Sequence, residues 1–295
     1  MNYAVMAVAL FAASTGPVGR NLIVTAEGSH GAAPSEIRAD DVSVEVNHQP
    51  AHLEKWIPLR GDQASLELYI VIDDGENSDV GTQFNSLKEF INGQPETTKI
   101  GLAYLRNGAA NIVAPLTSSH EKIAAALRLP LGEPGVSASP YMGISDLVKK
   151  WPATDARREV LFIGSGIDPW SPADPENPYL LQAIADAQRA GVLVHSIYYA
   201  EAGRLGHNSG LLGWGQNYLA ELGEQTGGEM YWQGMHSPVS FDPFLKDFAQ
   251  RLQNQYLAIV APEQTRSALA PVHVAVSEPG VSLKAASNID MRPRD

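Results

Sequence analysis

Between residues 67 and 232, short apolar runs alternate with longer amphipathic stretches. The runs have the length and β-branched content of buried strands, whereas the stretches repeat apolar residues at helical spacing. Strands separated by helices are typical of an α/β fold, here a doubly wound, mainly parallel sheet. The predicted strands are Glu67–Asp73, Lys99–Leu105, Ala110–Leu116, Glu159–Gly164, Val192–Tyr198 and Glu229–Trp232.

One pair of these strands breaks the parallel pattern. Asn107-Gly108 separates the second strand from the third. An Asn-Gly pair between apolar runs is the strongest short signal for a two-residue hairpin. We therefore expect one antiparallel edge strand in the sheet.

Capping residues predict where the helices begin. Ser118-Ser-His-Glu121 has the spacing of a capping box, and Ser139-Pro140 places proline at a first helical position. Asn177-Pro178 and Asp242-Pro243 predict two further helix starts, and Gly191 is expected to end the helix that starts at Asn177.

Period-two apolar patterns return on both sides of this region. They occur at Asn21–Ala26 and Val42–Val46, and again at Tyr256–Ala261, Pro271–Val276 and Val281–Ala286. No helical stretch separates the last three, so we expect both chain ends to build one small β-sandwich. The predicted division is β-sandwich segments at 20–60 and 256–292 around an α/β domain at 65–255.

Composition and charge narrow the classes of function. The chain of 295 residues has no cysteine and a net charge of −12, and no stripe of Lys and Arg is present that could neutralise a nucleic-acid backbone. No nucleic-acid partner is expected. Disulfides and cysteine nucleophiles are excluded, while the compartment stays open.

A short apolar run near the start bears on localisation. Tyr3–Ala13 precedes Ser14, Thr15 and Gly16, which resembles a signal-peptide core with small residues at a cleavage point in residues 1–16. The alternative is a first strand or helix of the mature domain. The run is shorter than the roughly 20 apolar residues that span a bilayer, so we expect an exported protein, periplasmic or secreted, without a transmembrane segment in the mature chain.

The candidate chemistry lies where predicted strands end. Open α/β sheets bind ligands at the carboxyl ends of their strands. The first strand ends in a cluster of acids, and polar residues follow near the later helix and strand ends. The candidates for a partner-binding rim are Asp73, Asp74, Glu76, Asn77, Ser139, Ser165, Asp168 and Trp170.

The order of strand, acidic loop, helix, hairpin and Gly164-Ser-Gly-Ile-Asp168 resembles the von Willebrand factor type A (VWA) domain, most closely its bacterial exported subgroup. Leu219–Gly228 and Leu252–Leu257 are more specific similarities, and the central resemblance covers about residues 65–260. The resemblance implies a Rossmann-like fold, a protein partner and an adhesion function. It also implies a metal-ion-dependent adhesion site, with an Asp-x-Ser-x-Ser loop, a Thr and a later Asp.

This sequence departs from that metal-site pattern. Asp73 keeps the leading Asp, but Gly75 and Asn77 stand at the hydroxyl positions, Ser139 replaces the Thr and Ser165 stands at the later Asp. A hard cation needs oxygen ligands with enough negative charge. We therefore expect a degenerate site that binds Mg²⁺ or Ca²⁺ weakly or not at all, with Asp73, Asn77 and Ser139 as its ligands if any. Alternatively, Asp74, Glu76 or Asp168 compensates.

Other motifs have simpler interpretations. Gly164-Ser165-Gly166 lacks the Gly-x-Ser-x-Gly spacing of a nucleophile elbow, and His195 lies inside a predicted strand. Gly203–Gly215 lacks the pattern of a phosphate-binding loop and is interpreted as a mobile rim loop. We expect a non-enzymatic binding module with no catalytic residues. The alternatives are a hydrolase that uses Ser165 or the acidic rim, and a structural scaffold without a ligand.

Overall fold

The computed structural model describes residues 19–29, 34–132, 138–200, 203–261 and 267–292. The run Tyr3–Ala13 and the expected signal peptide lie outside these residues. The strands are β1 (Arg20–Gly28), β2 (Val42–Val46), β3 (Gln49–Pro58), β4 (Leu66–Asp73), β5 (Thr98–Arg106), β6 (Ala109–Thr117), β7 (Arg157–Gly164), β8 (Val192–Tyr198), β9 (Met230–Tyr231), β10 (Gln255–Ala261), β11 (Leu269–Val276), β12 (Val281–Ala285) and β13 (Asn288–Asp290). The helices are α1 (Phe84–Asn92), α2 (His120–Ala126), α3 (Pro140–Lys150), α4 (Pro178–Ala190), α5 (Ser209–Thr226) and α6 (Asp242–Gln253).

The central sheet is mainly parallel, as the sequence predicts. Its order is β6-β5-β4-β7-β8-β9, and every neighbouring pair is parallel except β5 and β6. Asn107 and Gly108 both adopt positive φ, 52° and 72°, which gives the type I′ turn that favours a two-residue hairpin. The antiparallel edge strand is thereby confirmed.

Both faces of this sheet are buried under helices. Val71 and Phe162 belong to a core shared with α3, α4 and α5, whereas Ile70 and Leu161 belong to a second core shared with α1 and α6. Burial on both faces explains why the central strands are continuous apolar runs instead of alternating patterns. The α/β fold class is confirmed.

Proline and asparagine signals predict the helix starts better than the capping box does. Asn177 caps α4, because its side chain accepts the N–H groups of Tyr179 and Leu180, and Gly191 ends that helix at φ 65°. The capping box at Ser118 is wrong: α2 begins at His120, and its cap residue Ser119 makes no side-chain cap. The backbone N–H of Ser119 instead donates to the hydroxyl of Thr117, which forms a local turn before the helix.

The prediction of a rim loop at Gly203–Gly215 is also wrong for its second half, which is helical from Ser209. Asn208 caps α5 through the N–H groups of Gly210 and Leu211, so the helix includes Gly210, Gly213 and Gly215. A Cβ atom on Gly215 would overlap the carbonyl oxygen of Ser165. Gly215 therefore lets α5 pack directly on the backbone that follows β7.

The two chain ends build one β unit, in the strand order β12-β1-β10-β3-β2-β11-β13. β1 lies between β10 and β12, which confirms that the C-terminal strands pair with the N-terminal segment. The first residues of β3 pair with β2 and the later ones with β10. β3 therefore connects the β2 side of the sheet to the β10 side. The expected β-sandwich thus takes the form of one curled antiparallel sheet, while the proposed domain bounds remain a prediction.

Candidate functional site

The carboxyl ends of β4 and β7 lie side by side and bring two predicted loops together. Ile72 pairs with Ile163, so the loop at 73–77 adjoins the loop at 165–170. The N-terminus of α3 approaches the same place, since Ser139 contacts Asp168. We call these loops, with the adjoining segments 128–131 and 237–240, the carboxyl-end rim.

Asp168 organises one half of the rim. It is completely buried. Its Oδ2 accepts the hydroxyl of Ser139 at 2.7 Å and the side-chain N–H of Asn177 at 3.0 Å, while its Oδ1 accepts the backbone N–H groups of Trp170 at 2.9 Å and Ser171 at 3.3 Å. Each carboxylate oxygen thus already accepts two hydrogen bonds, so this group fixes structure instead of offering itself to a ligand.

Glu76 joins the two loops. It is buried, and its Oε1 accepts the backbone N–H of Ser165 at 2.7 Å. The hydroxyl oxygen of Ser165 lies 3.4 Å from the backbone N–H of Ile167. These contacts fix the turn after β7 against the loop after β4.

Asp74 is directed away from that pair, toward the β5 side of the rim. Its carboxylate accepts two hydrogen bonds from the guanidinium of Arg128, at 2.7 and 3.1 Å, and the backbone N–H of Leu131 at 2.9 Å. Arg106 lies 3.6 Å away. Burial alone would raise the pKa of Asp74, but the hydrogen bonds from Arg128 and Leu131 and the nearby positive charges hold it below its usual range.

Asp73, the first rim carboxyl after β4, accepts a hydrogen bond from within its own loop. Its Oδ1 accepts the backbone N–H of Gly75 at 2.9 Å. Burial, with a smaller contribution from the charge of Asp74, raises the pKa of Asp73 to about 6, although the Gly75 hydrogen bond opposes this shift. Asp73 therefore carries a proton in part of the population near pH 6.

Asp73→Asn is expected to stabilise the protein at pH 8 by roughly 1–2 kcal/mol and to change its stability little at pH 4. The folded state takes up a proton on Asp73 near pH 6, whereas the unfolded state takes it up only near pH 3.8. The cost of the buried charge is therefore present above pH 6 and disappears as the pH falls from 6 toward 4. Asparagine keeps the acceptor for Gly75. Urea unfolding at both pH values measures the effect, and an equal gain at both would contradict it.

The other two residues expected as metal ligands, Asn77 and Ser139, make local protein contacts. Asn77 is exposed, and its side-chain oxygen caps the short 3₁₀ helix at 78–83 through the N–H of Asp79. Gly75 has no side-chain oxygen to offer. Within the described ranges, no three His, Asp or Glu side chains are placed to hold a metal ion. Ser139 donates to Asp168, so the three residues expected as ligands each have a local role.

The arrangement around Ser165 does not form a nucleophilic triad. Ser165 is buried, and His195 lies within β8, where its Nε2 contacts Glu159 at 3.0 Å. The Nδ1 of His195 accepts the backbone N–H of Glu229. Both ring nitrogens are thus committed to buried partners, and neither activates the hydroxyl of Ser165.

Two residues that support the rim, Gln83 and Arg128, were not predicted because their partners lie far away in the sequence. Gln83 is buried, donates to the carbonyl of Val239 at 3.1 Å and accepts the N–H of Phe241 at 3.0 Å. Arg128 stacks on the ring of Tyr104 at 3.8 Å while it binds Asp74. No local pattern marks Gln83. For Arg128 the one available signal was a basic residue isolated before the apolar Leu129 and Leu131.

The rim displays large apolar side chains. Val239 is 90% exposed, Leu131 63% and Trp170 50%. The backbone of each is held by a buried polar side chain: Gln83 binds Val239, Asp74 binds Leu131 and Asp168 binds Trp170. The polar residues at the rim therefore present apolar groups to solvent in fixed positions.

Comparisons with solved structures give distant similarities. An aerotolerance-related membrane protein from Bacteroides fragilis is 13% identical, with a TM-score of 0.44 over 63% of this chain and 98% of that chain. The SpRpn10 VWA domain is 16% identical, with a TM-score of 0.42 over 61% and 93%. The human COPII-coat protein Sec24c is 8% identical, with a TM-score of 0.43 over 77% and 44%.

No family model matches the sequence, and no curated protein matches it. Similarities at this distance do not assign the chain to a family. Among the described helices, none has the length and apolar content needed to cross a bilayer.

Proposed function

We propose that this chain is a non-enzymatic binding and adhesion module that recognises a protein partner through the carboxyl-end rim. The observation that carries the proposal is the paired arrangement of buried polar groups and exposed apolar residues described above. Exposed apolar side chains that lie together on one surface mark sites of protein contact. Fixing them before binding lowers the entropy lost on association.

The acidic rim residues have a structural role in this proposal. Asp74 and Asp168 position Leu131 and Trp170, and Glu76 holds the turn at Ser165. In this view the chain is a degenerate relative of VWA domains, in which the frame of the adhesion site persists and the metal does not mediate contact. The apolar run Tyr3–Ala13 supports placing the module in an exported protein, either periplasmic or secreted.

Rim contacts are tested by capture of a partner from an envelope extract. Val239→Asp and Leu131→Asp are expected to reduce capture at least about tenfold, because each places a charge in an apolar contact. Leu181→Asp is the matched control, since Leu181 is 46% exposed on α4. Equal capture by all three variants would contradict recognition at the rim, and no capture by the unaltered protein would favour a scaffold.

The same samples separate binding from hydrolysis. Generic nitrophenyl esters should not be turned over above the buffer rate, because Ser165 is buried and both ring nitrogens of His195 contact other groups. Turnover that disappears in Ser165→Ala would replace the binding proposal with a hydrolase.

Divalent cations are expected to bind weakly. Asp168 and Asp74 already accept protein hydrogen bonds at both oxygens, and Glu76 is buried against the backbone N–H of Ser165, which leaves Asp73 as the main anionic oxygen donor. One carboxylate with neutral neighbours gives a dissociation constant for Mg²⁺ or Ca²⁺ of about 1 mM or weaker. Isothermal calorimetry measures this, and micromolar binding that is lost in Asp73→Ala would restore a functional adhesion site.

A further inference from the structure

The curled antiparallel sheet nearly closes on itself at a seam between β11 and β12. The two strands approach each other but form no ladder in the described part of the chain, because β11 pairs with β2 and β13 whereas β12 pairs with β1. The short connection 277–280 closes one end of the seam. The N–H of Val272 closes the other, since it donates to the carbonyl of Ser287 at 2.9 Å. The seam therefore has no room for another strand, and a ligand meets it through side chains.

A groove of about 590 Å³ lies over this seam, between the two sheets. It is lined by Val272 of β11 and by Leu283 and Ala285 of β12, and the same side chains pack against the apolar core inside the curled sheet. All three are only partly buried, so the groove is an opening at which part of that core is accessible. Its volume lies within the range of roughly 300–1,000 Å³ typical of small-ligand sites, which are frequent at domain interfaces and in the mouths of β-barrels.

The outer wall of the groove contributes an aromatic ring and a carboxylate. Ala220 and Glu224 are one helical turn apart on α5, and both are exposed. Met230 and Trp232 are two positions apart at β9, so their side chains leave the same face of the sheet. All four line the groove, and Trp232 is 56% exposed. The mouth of the groove therefore presents an indole ring and a carboxylate to solvent.

The charges that line the groove favour a cation. They come from Glu224, Glu229 and Lys284. Lys284 lies 2.7 Å from Glu229, which neutralises it, so Glu224 leaves the groove with a net negative charge. The charge of Glu224 also contributes, after burial as the larger cause, to raising the pKa of Glu221 on the same helix. An aromatic face together with a carboxylate suits an ammonium group.

We propose that this groove binds a small amphipathic cation, in which an ammonium group is joined to an aliphatic tail. The tail lies against Val272 and Leu283, where the core of the curled sheet is accessible, and the ammonium group contacts Trp232 and Glu224. Burial of the tail supplies affinity, and the charged mouth selects a cation over an anion. The groove is separate from the carboxyl-end rim, so either proposal can fail without the other.

Octylammonium and octanoate, which have similar apolar chains and opposite charges, test the proposal by NMR titration of the full chain. Octylammonium is expected to shift the indole N–H resonance of Trp232 and the methyl resonances of Val272 and Leu283 until the site is saturated. Octanoate should bind at least about tenfold more weakly, because the carboxylate at the mouth repels it. No saturable shift at millimolar octylammonium, or equal binding of the two compounds, would overturn the proposal.

Variants of exposed side chains locate the ligand at the mouth of the groove. Trp232→Ala is expected to weaken octylammonium binding about tenfold, and Glu224→Gln about threefold. The matched controls are Trp170→Ala and Glu176→Gln, which make the same kinds of change at exposed positions away from the groove and should leave binding unchanged. Unchanged binding in both groove variants, or an equal loss in the controls, would place the ligand elsewhere and would also overturn the proposal.

Discussion

Asp168→Ala is expected to lower the free energy of unfolding by about 3–5 kcal/mol. The carboxylate is completely buried and accepts hydrogen bonds from Ser139, Asn177, Trp170 and Ser171. Alanine removes the acceptor that these four donors share, at a place where water has little access. The expected loss of stability therefore comes mainly from burying these donors without their acceptor, and less from the hydrogen bonds that are removed.

Urea unfolding monitored by circular dichroism measures this loss. Glu176→Ala is the matched control, because Glu176 is an exposed acid in the same loop, and it should change stability by less than about 0.5 kcal/mol. Asp168→Asn should fall between the two, since its amide oxygen can still accept while its NH₂ group faces donors. A loss below about 1 kcal/mol for Asp168→Ala would show that Asp168 does not organise the rim.

The same substitution links stability to the proposed function. Asp168 accepts the backbone N–H of Trp170, and its partner Asn177 caps α4. Loosening these groups would free the loop at 168–177 before the rest of the sheet unfolds. In a population that remains folded, partner capture should fall as well.

Local signals explain why most elements were predictable from the sequence. The hairpin at Asn107-Gly108 and the cap at Asn177 depend on residues within a few positions of each other. The continuous apolar run of β4 predicts a buried central strand without knowledge of its neighbours. The Gly-rich stretch was predicted wrongly as a loop, because its glycine content has another cause. Gly215 lies in a helix that packs directly on the backbone of Ser165, 50 positions earlier in the chain, and composition does not reveal such a contact.

The convergence of the rim residues was predictable from the sequence, but the contacts among their side chains were not. The strand ends indicate that Asp73, Ser139 and Ser165 approach a common rim. The sequence does not indicate that Asp74 takes Arg128, 54 positions later, or that Gln83 holds Val239, 156 positions later. Such long-range pairs decide whether an acid binds a ligand or fixes a loop, which is why the alternative of a compensating Asp168 stayed open at the level of sequence.

A second large effect on stability is expected at a buried ionic cluster on β7 and β8 of the central sheet. Glu159 is completely buried and lies 3.7 Å from the Nε of Arg157, and its other oxygen lies 3.0 Å from the Nε2 of His195. Because the Nδ1 of His195 accepts the N–H of Glu229, the Nε2 carries the proton and donates to Glu159. Burial lowers the pKa of Arg157, which the negative charge of Glu159 opposes. The buried charges of Arg157 and Glu159 therefore stabilise each other.

Glu159→Ala should lower the free energy of unfolding by about 3–5 kcal/mol, because it leaves the buried charge of Arg157 without compensation and His195 without an acceptor. The double variant Arg157→Met with Glu159→Gln should come within about 1 kcal/mol of the unaltered protein. Methionine removes the buried charge, and the glutamine oxygen still accepts from His195. Strong recovery in the double variant, measured by urea unfolding, would mean that the pair costs nearly as much desolvation energy as its attraction returns. A double variant that loses the sum of Arg157→Met and Glu159→Gln would instead show that each side chain stabilises the sheet through separate contacts.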